Sequence, residues 1–150
     1  MQLPSFPSAI VGRTVTSVGR VLYEHRAVIE PVDGALEIGV DGRLILLDAA
    51  ADGERLRVRE QAWNDPFEKP LSRENEAYVK EHGRWRRVDC SRQEPYSELL
   101  GQSVTDVRFL ENEWHHVAGV RLSVAARSLW FVVAGDECRV YWAHPIGFRE

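Results

Sequence analysis

Two adjacent histidines, His115 and His116, are the residues of this chain whose type and spacing most suggest chemistry. Glu111 and Glu113 stand just before them and His144 follows later in the chain, so a metal ion is the first possibility to consider. Adjacent residues of a strand point to opposite faces, however, and the usual spacing of zinc ligands is absent. We therefore interpret the two histidines as loop residues and predict no metal site.

Other catalytic patterns are also missing from the sequence. No serine stands in a G-x-S-x-G elbow, and neither Cys90 nor Cys138 has a recognisable catalytic context. The glycines are spaced for turns and do not lead into a helix that could cradle a phosphate, so no cofactor is predicted. Carboxylates are numerous, and an enzyme whose site the sequence does not reveal stays open as an alternative.

Trp114 differs from the other tryptophans because it lies in a polar stretch, residues 111–116, where a hairpin tip is expected. A large ring at such a tip gains little unless something covers it. The cover is expected to be either a helix of the same chain or a partner protein, and tryptophan is enriched at binding hot spots. The predicted partner-binding residues are Glu111, Glu113, Trp114, His115 and His116, with Tyr141 and Trp142 beside them.

These residues fall in the second of two similar halves of the chain, and this similarity predicts the fold. Residues 8–18 read SAIVGRTVTSV and residues 97–107 read SELLGQSVTDV, so each has a glycine followed by valines three and six positions later. Three further matches follow in the same order. They pair residues 36–40 with 120–124, 43–47 with 128–132, and 53–58 with 135–140.

Each repeat is predicted to contain a short helical turn followed by four antiparallel strands. The serine that begins the turn is expected to cap it, and Gly12 or Gly101 is expected to end it with a positive φ. Valines three residues apart indicate a β-bulge in the first strand. Residues 36–40 alternate as in a strand with one buried face, and Asp41-Gly42 predicts a tight hairpin.

The predicted fold is mainly β, with two four-stranded antiparallel units related by a pseudo-twofold and forming a β-sandwich or a partly open barrel. Residues 72–82 begin with a serine and are followed by Gly83, which predicts one inserted helix lying across the sheet. The alternative is an α+β fold with amphipathic helices at 12–24 and 101–111. The chain is expected to be a single domain, 1–150, comprising repeat one (about 7–60), a helical connector (about 61–94), repeat two (about 95–143) and a C-terminal tail (144–150).

Composition and charge limit the class of protein. The chain has 150 residues and a net charge of -4, and 44% of its residues are hydrophobic, which is ordinary for a globular protein. Nucleic acid is not expected as a partner, because phosphates demand a basic face. The first residues lack an export signal, and no stretch approaches the ~18 apolar residues that cross a bilayer. The predicted location is therefore the cytoplasm, without a membrane partner.

The pattern of a short turn, G-x-x-V-x-x-V and paired strands with an Asp-Gly turn resembles that of small bacterial immunity proteins from polymorphic toxin and contact-dependent inhibition systems. The resemblance covers both repeats but rests on turn and core residues, so it carries over no functional residue. It implies a non-catalytic, cytosolic module that occludes another protein, such as a basic toxin domain. The alternative function is small-ligand binding in an aromatic pocket near Trp130 and Phe131.

Overall fold

The computed structural model describes residues 6–67 and 70–150. Residues 1–5, in the segment where no export signal is predicted, and Glu68 and Lys69, in the predicted connector, lie outside the described residues. The first half contains β1 (Val15–His25), β2 (Val28–Val40), β3 (Arg43–Ala49), β4 (Leu56–Arg59), α1 (Arg73–His82) and β5 (Arg84–Asp89). The second contains a short 3₁₀ helix (Tyr96–Glu98), β6 (Val104–Glu111), β7 (Val117–Val124), β8 (Arg127–Ala134) and β9 (Glu137–Tyr141).

The described strands form two antiparallel sheets, with orders β4-β3-β2-β1-β5 and β6-β7-β8-β9. Their inner faces share one hydrophobic core, which includes Leu36 and Ile38 from the first sheet and Leu122 and Phe131 from the second. The prediction of a mainly β sandwich with one helix is confirmed. The α+β alternative is wrong, because both segments assigned to its helices consist largely of strand.

The two halves join at a seam, residues 12–15 and 101–104, that has twofold symmetry. At its centre Thr14 and Ser103, which are equivalent residues of the two repeats, form an antiparallel bridge. Four backbone hydrogen bonds surround the bridge in two reciprocal pairs, so each bond has a counterpart in which the halves exchange roles. They run from Gly12 N–H to Val104 O (2.7 Å), Gly101 N–H to Val15 O (2.9 Å), Val15 N–H to Gln102 O (2.9 Å) and Val104 N–H to Arg13 O (2.8 Å).

The local predictions around the seam are confirmed in part. Gly12 and Gly101 have the expected positive φ, at 86° and 74°. The register shifts between Val15 and Ser17 in β1, and β6 has the equivalent shift after Val104, so both bulges are present. The predicted serine cap is wrong in the second repeat, because Ser97 lies within the 3₁₀ helix and no side chain caps it.

One of the four sequence matches is displaced by a residue. Val40 pairs with Arg43 across the first hairpin and Val124 pairs with Arg127 across the second, so residues 43–47 are equivalent to 127–131 and not to 128–132. A shift of one residue exchanges the two faces of a strand. The predicted match would thus have placed Trp130, which lies on the outer face, at an inner position.

The helix forms where it was predicted but does not lie across the sheet. Ser72 caps it through a hydrogen bond from the amide of Asn75 (3.1 Å), and Gly83 ends it with φ 78°. None of its residues is buried, because its sequence is almost wholly polar. The helix instead reaches the sheet at its end, where Gly83 approaches the carbonyl of Glu24 too closely for any Cβ atom.

The outer face of each sheet is crossed by the segment that follows its fourth strand. Residues 60–67 cross the first sheet, where the amide of Trp63 donates to the buried carboxylate of Glu37 on β2 (2.9 Å). Residues 142–148 cross the second sheet, with the His144 ring 6.1 Å from that of Trp130 on β8. Each segment has an alanine, then Trp63 or His144, then a phenylalanine four residues later.

After crossing, each segment pairs with the first strand of its own half. In the first half β5 pairs with β1, so the predicted helical connector also contains a strand. In the second half Arg149 forms a bridge with Glu111 at the end of β6, through two backbone hydrogen bonds of 2.7 and 3.0 Å. The tail and the connector, which the sequence analysis treats as unrelated, therefore take equivalent paths.

An ion pair accompanies each of these paths, with the charges reversed between the halves. Glu37 of β2 pairs with Arg87 of β5 at 2.6 Å. Arg121, at the equivalent position of β7, pairs with Glu150 at 2.5 Å. Each repeat is thus a four-stranded unit that covers its own outer face and fastens the covering segment by an ion pair.

The backbone geometry of the turn between β7 and β8 can be tested by substitution. Ala125 has φ 52°, which is unfavourable for a residue with a Cβ atom. We expect Ala125→Gly to raise the free energy of unfolding by about 1 kcal/mol in urea denaturation. The neighbouring Ala126 has no positive φ, so Ala126→Gly should lower that free energy by up to about 1 kcal/mol. An equal effect of the two substitutions would contradict the turn geometry.

Candidate functional site

The predicted site centres on the turn between β6 and β7, residues 112–116, and Asn112 holds this turn in place. Its side-chain Oδ1 accepts hydrogen bonds from the amides of Trp114 (3.0 Å) and His116 (3.1 Å). Its backbone amide donates to the carbonyl of His116, and its carbonyl accepts from the amide of His115, each at 3.0 Å. Asn112 is only 7% exposed, so the turn is a fixed platform for the residues after it.

Trp114 projects from this platform and is 60% exposed. Its ring borders a groove of about 350 Å³, formed by four separate segments. The other walls are Glu54 from the β3–β4 turn, residues 133–135 from the end of β8, and Gly147 with Phe148 from the tail. No residue of α1 lines the groove, so this helix, one of the two expected covers of Trp114, lies elsewhere.

The wall from the first half is held against the second half by contacts between turns. The amide of Asp136 donates to the carbonyl of Gly53 (2.9 Å). The amides of Glu54 and Arg55 donate to Oδ1 of Asp52 at 2.9 and 3.0 Å. These hydrogen bonds, above all the one from Glu54, hold the pKa of the Asp52 carboxyl below its usual value. Asp52 therefore fixes this wall as Asn112 fixes the opposite turn.

Both histidines of the turn contact arginines and not each other. Nη2 of Arg55 lies 2.9 Å from Nε2 of His116, and the guanidinium of Arg149 contacts the ring of His115. A guanidinium only donates hydrogen bonds, so Nε2 of His116 accepts from Arg55, and one of the two ring nitrogens of His115 accepts from Arg149. His115 and His116 thus attach the turn to the tail and to the first half, respectively.

The carboxylates at the groove differ in their partners. Glu111 lies 3.6 Å from His115 and is also part of the bridge to Arg149. Glu54 and Glu113, which line the groove with Trp114, form no ion pair with any of the described residues. The groove is therefore lined by an exposed tryptophan and by two glutamates that have no counter-ion among the described residues.

Tyr141 and Trp142 do not lie beside Trp114. Tyr141 pairs with Trp130 towards the other end of β9, and Trp142 packs edge-on against Tyr96 (5.1 Å between ring centres). Both line a second groove of about 670 Å³, which shares only Phe148 with the Trp114 groove. The turn residues of the predicted site are thus brought together, whereas these two aromatic residues are not.

The residues considered for other chemistry are placed as follows. Both cysteines are buried, and burial raises the pKa of the Cys138 thiol to about 12, which disfavours a reactive thiolate. Among residues 6–67 and 70–150, no three His, Cys, Asp or Glu side chains lie close enough together to hold a metal ion. Phe131 is in the shared core, while Trp130 lies on the opposite face of β8, so the two do not line one pocket.

Asn112 is one of the site residues that the sequence analysis does not identify, together with Glu54 and Phe148. Asn112→Ala removes the acceptor of two backbone amides and should lower the free energy of unfolding by about 1–3 kcal/mol in urea denaturation. Asn112→Asp keeps a side-chain oxygen at the same place and should retain most of that stability. A similar loss in both variants would mean that the oxygen does not hold the turn.

Comparisons with protein-family models, with curated proteins and with solved structures gave no match for this chain. Within the described part of the chain, no helix has the length and apolar character needed to cross a membrane.

Proposed function

We propose that this protein is a non-catalytic binding module that contacts a partner protein through the Trp114 face, meaning the Trp114 ring with the groove beside it. The exposed indole on a fixed turn is the observation that carries this proposal. A large aromatic side chain on a rigid backbone offers contact area at little cost in conformational entropy. Such residues are those most often found to dominate the affinity of protein interfaces.

Charge favours a basic partner. The chain has a net charge of -4, and the Trp114 face carries the two unpaired carboxylates of Glu54 and Glu113. Complementary charge speeds encounter and selects against acidic competitors, while the ring contributes affinity once the partner has docked. A cytosolic immunity protein that occludes a basic toxin domain would need these two properties, and we propose that role for this chain.

The proposal predicts that Trp114→Ala weakens binding to the partner protein. The partner is first recovered with the immobilised wild-type chain, and its affinity for each variant is then measured. Affinity measured by calorimetry should fall by roughly 2 kcal/mol or more, because a hot-spot ring is removed. The melting temperature should change little, because the ring is mostly exposed and leaves no cavity.

Trp85→Ala is the matched control for this measurement. Trp85 is another exposed tryptophan, but it lies on strand β5 and packs against Tyr23. Its removal should leave the affinity for the partner unchanged. A large fall in the melting temperature of Trp114→Ala, or an affinity equal to that of the wild-type chain, would show that the Trp114 face is not the contact.

A further inference from the structure

We infer that the Trp114 groove binds an arginine side chain of the partner, and this inference rests on the proposed function. The groove joins the chemical features that a guanidinium recognises. Its indole face attracts a cation through the ring quadrupole, and its two carboxylates accept charge-assisted hydrogen bonds. The two glutamates come from different halves of the chain, so a side chain that enters the groove meets a carboxylate from each half.

The arginines that contact the turn do not neutralise the two glutamates of the groove. Arg55 and Arg149 contact the turn, and each places its guanidinium against a histidine ring. Arg55 also pairs with Asp52 at 3.2 Å. Neither arginine pairs with Glu54 or Glu113, which are therefore available to a cation from outside.

The groove favours arginine over lysine for a geometric reason. A guanidinium is planar, so it stacks on an aromatic ring while its edge donates hydrogen bonds in several directions. Trp114 and Phe148 supply the aromatic walls, and the two carboxylates lie beside them. A lysine ammonium is a compact, strongly hydrated charge, so it cannot stack on an aromatic ring as a planar guanidinium does.

Two short peptides test the inference directly. The probes are acetyl-Ala-Arg-Ala-amide and the same peptide with citrulline, which has the shape of arginine without its charge. In NMR titrations of the full chain, the arginine peptide should shift the Trp114 indole N–H and the Gly135 amide. It should bind at least about fivefold more tightly than the citrulline peptide, since cation–π and ionic contacts are lost in the latter.

The double variant Glu54→Gln/Glu113→Gln should lose this preference for arginine while keeping the fold. Glu74→Gln/Glu76→Gln on α1 removes the same charge at a distance and should keep the preference. Equal affinity for the two peptides would overturn the inference. So would chemical-shift changes centred on Tyr141 and Trp142, or an equal loss of the preference for arginine in both double variants.

Failure of this inference is distinguishable from failure of the proposed function. If the peptides bind equally but Trp114→Ala still weakens binding of the partner protein, the Trp114 face is the contact and arginine is not its ligand. If Trp114→Ala leaves the partner's affinity unchanged, the proposed function fails, whatever the peptides do.

Discussion

The bridge between Thr14 and Ser103, with its reciprocal backbone hydrogen bonds, joins the two repeats and determines how their sheets face each other. Each repeat covers its own outer face with the segment after its fourth strand, but its inner face would be exposed if it stood alone. The seam sets the two inner faces opposite each other, so that residues such as Leu36 and Phe131 become fully buried. Burial of apolar area on this scale is the main stabilising term available to a chain of this size.

The seam also explains why a groove forms at Trp114. It fixes the β3–β4 turn of the first half against the β8–β9 turn of the second, where Gly53 and Asp136 meet. Glu54 and Trp114 thereby line the same groove, although 60 positions of sequence separate them. The equivalent hairpin of the first repeat is different, because β1 and β2 continue to a two-residue turn at residues 26–27. The site therefore lies where the second repeat differs in structure from the first.

The parts of the fold that local signals determine could be predicted from the sequence, and the non-local parts could not. Asp41-Gly42 and the Ser72 cap act within a few residues, so their turn and helix were identified correctly. The displaced match at residues 43–47 arose because a continuous apolar run has no alternation to fix its faces. The structural equivalence of the connector and the tail is not visible in the sequence, because the charges of their ion pairs are exchanged. The strand carries the acid in Glu37–Arg87 and the base in Arg121–Glu150. Asn112 had a recognisable signal, since asparagine commonly holds turns through its side chain.

The role of the seam can be measured by native-state hydrogen exchange of its four amides, those of Gly12, Val15, Gly101 and Val104. If the seam holds the two halves together, all four amides should exchange only through global unfolding. The free energy of exchange should then be the same for Gly12 and Gly101, and the same for Val15 and Val104. Exchange of any of them at the rate of an exposed loop, or protection of one member of a pair without the other, would contradict a twofold seam.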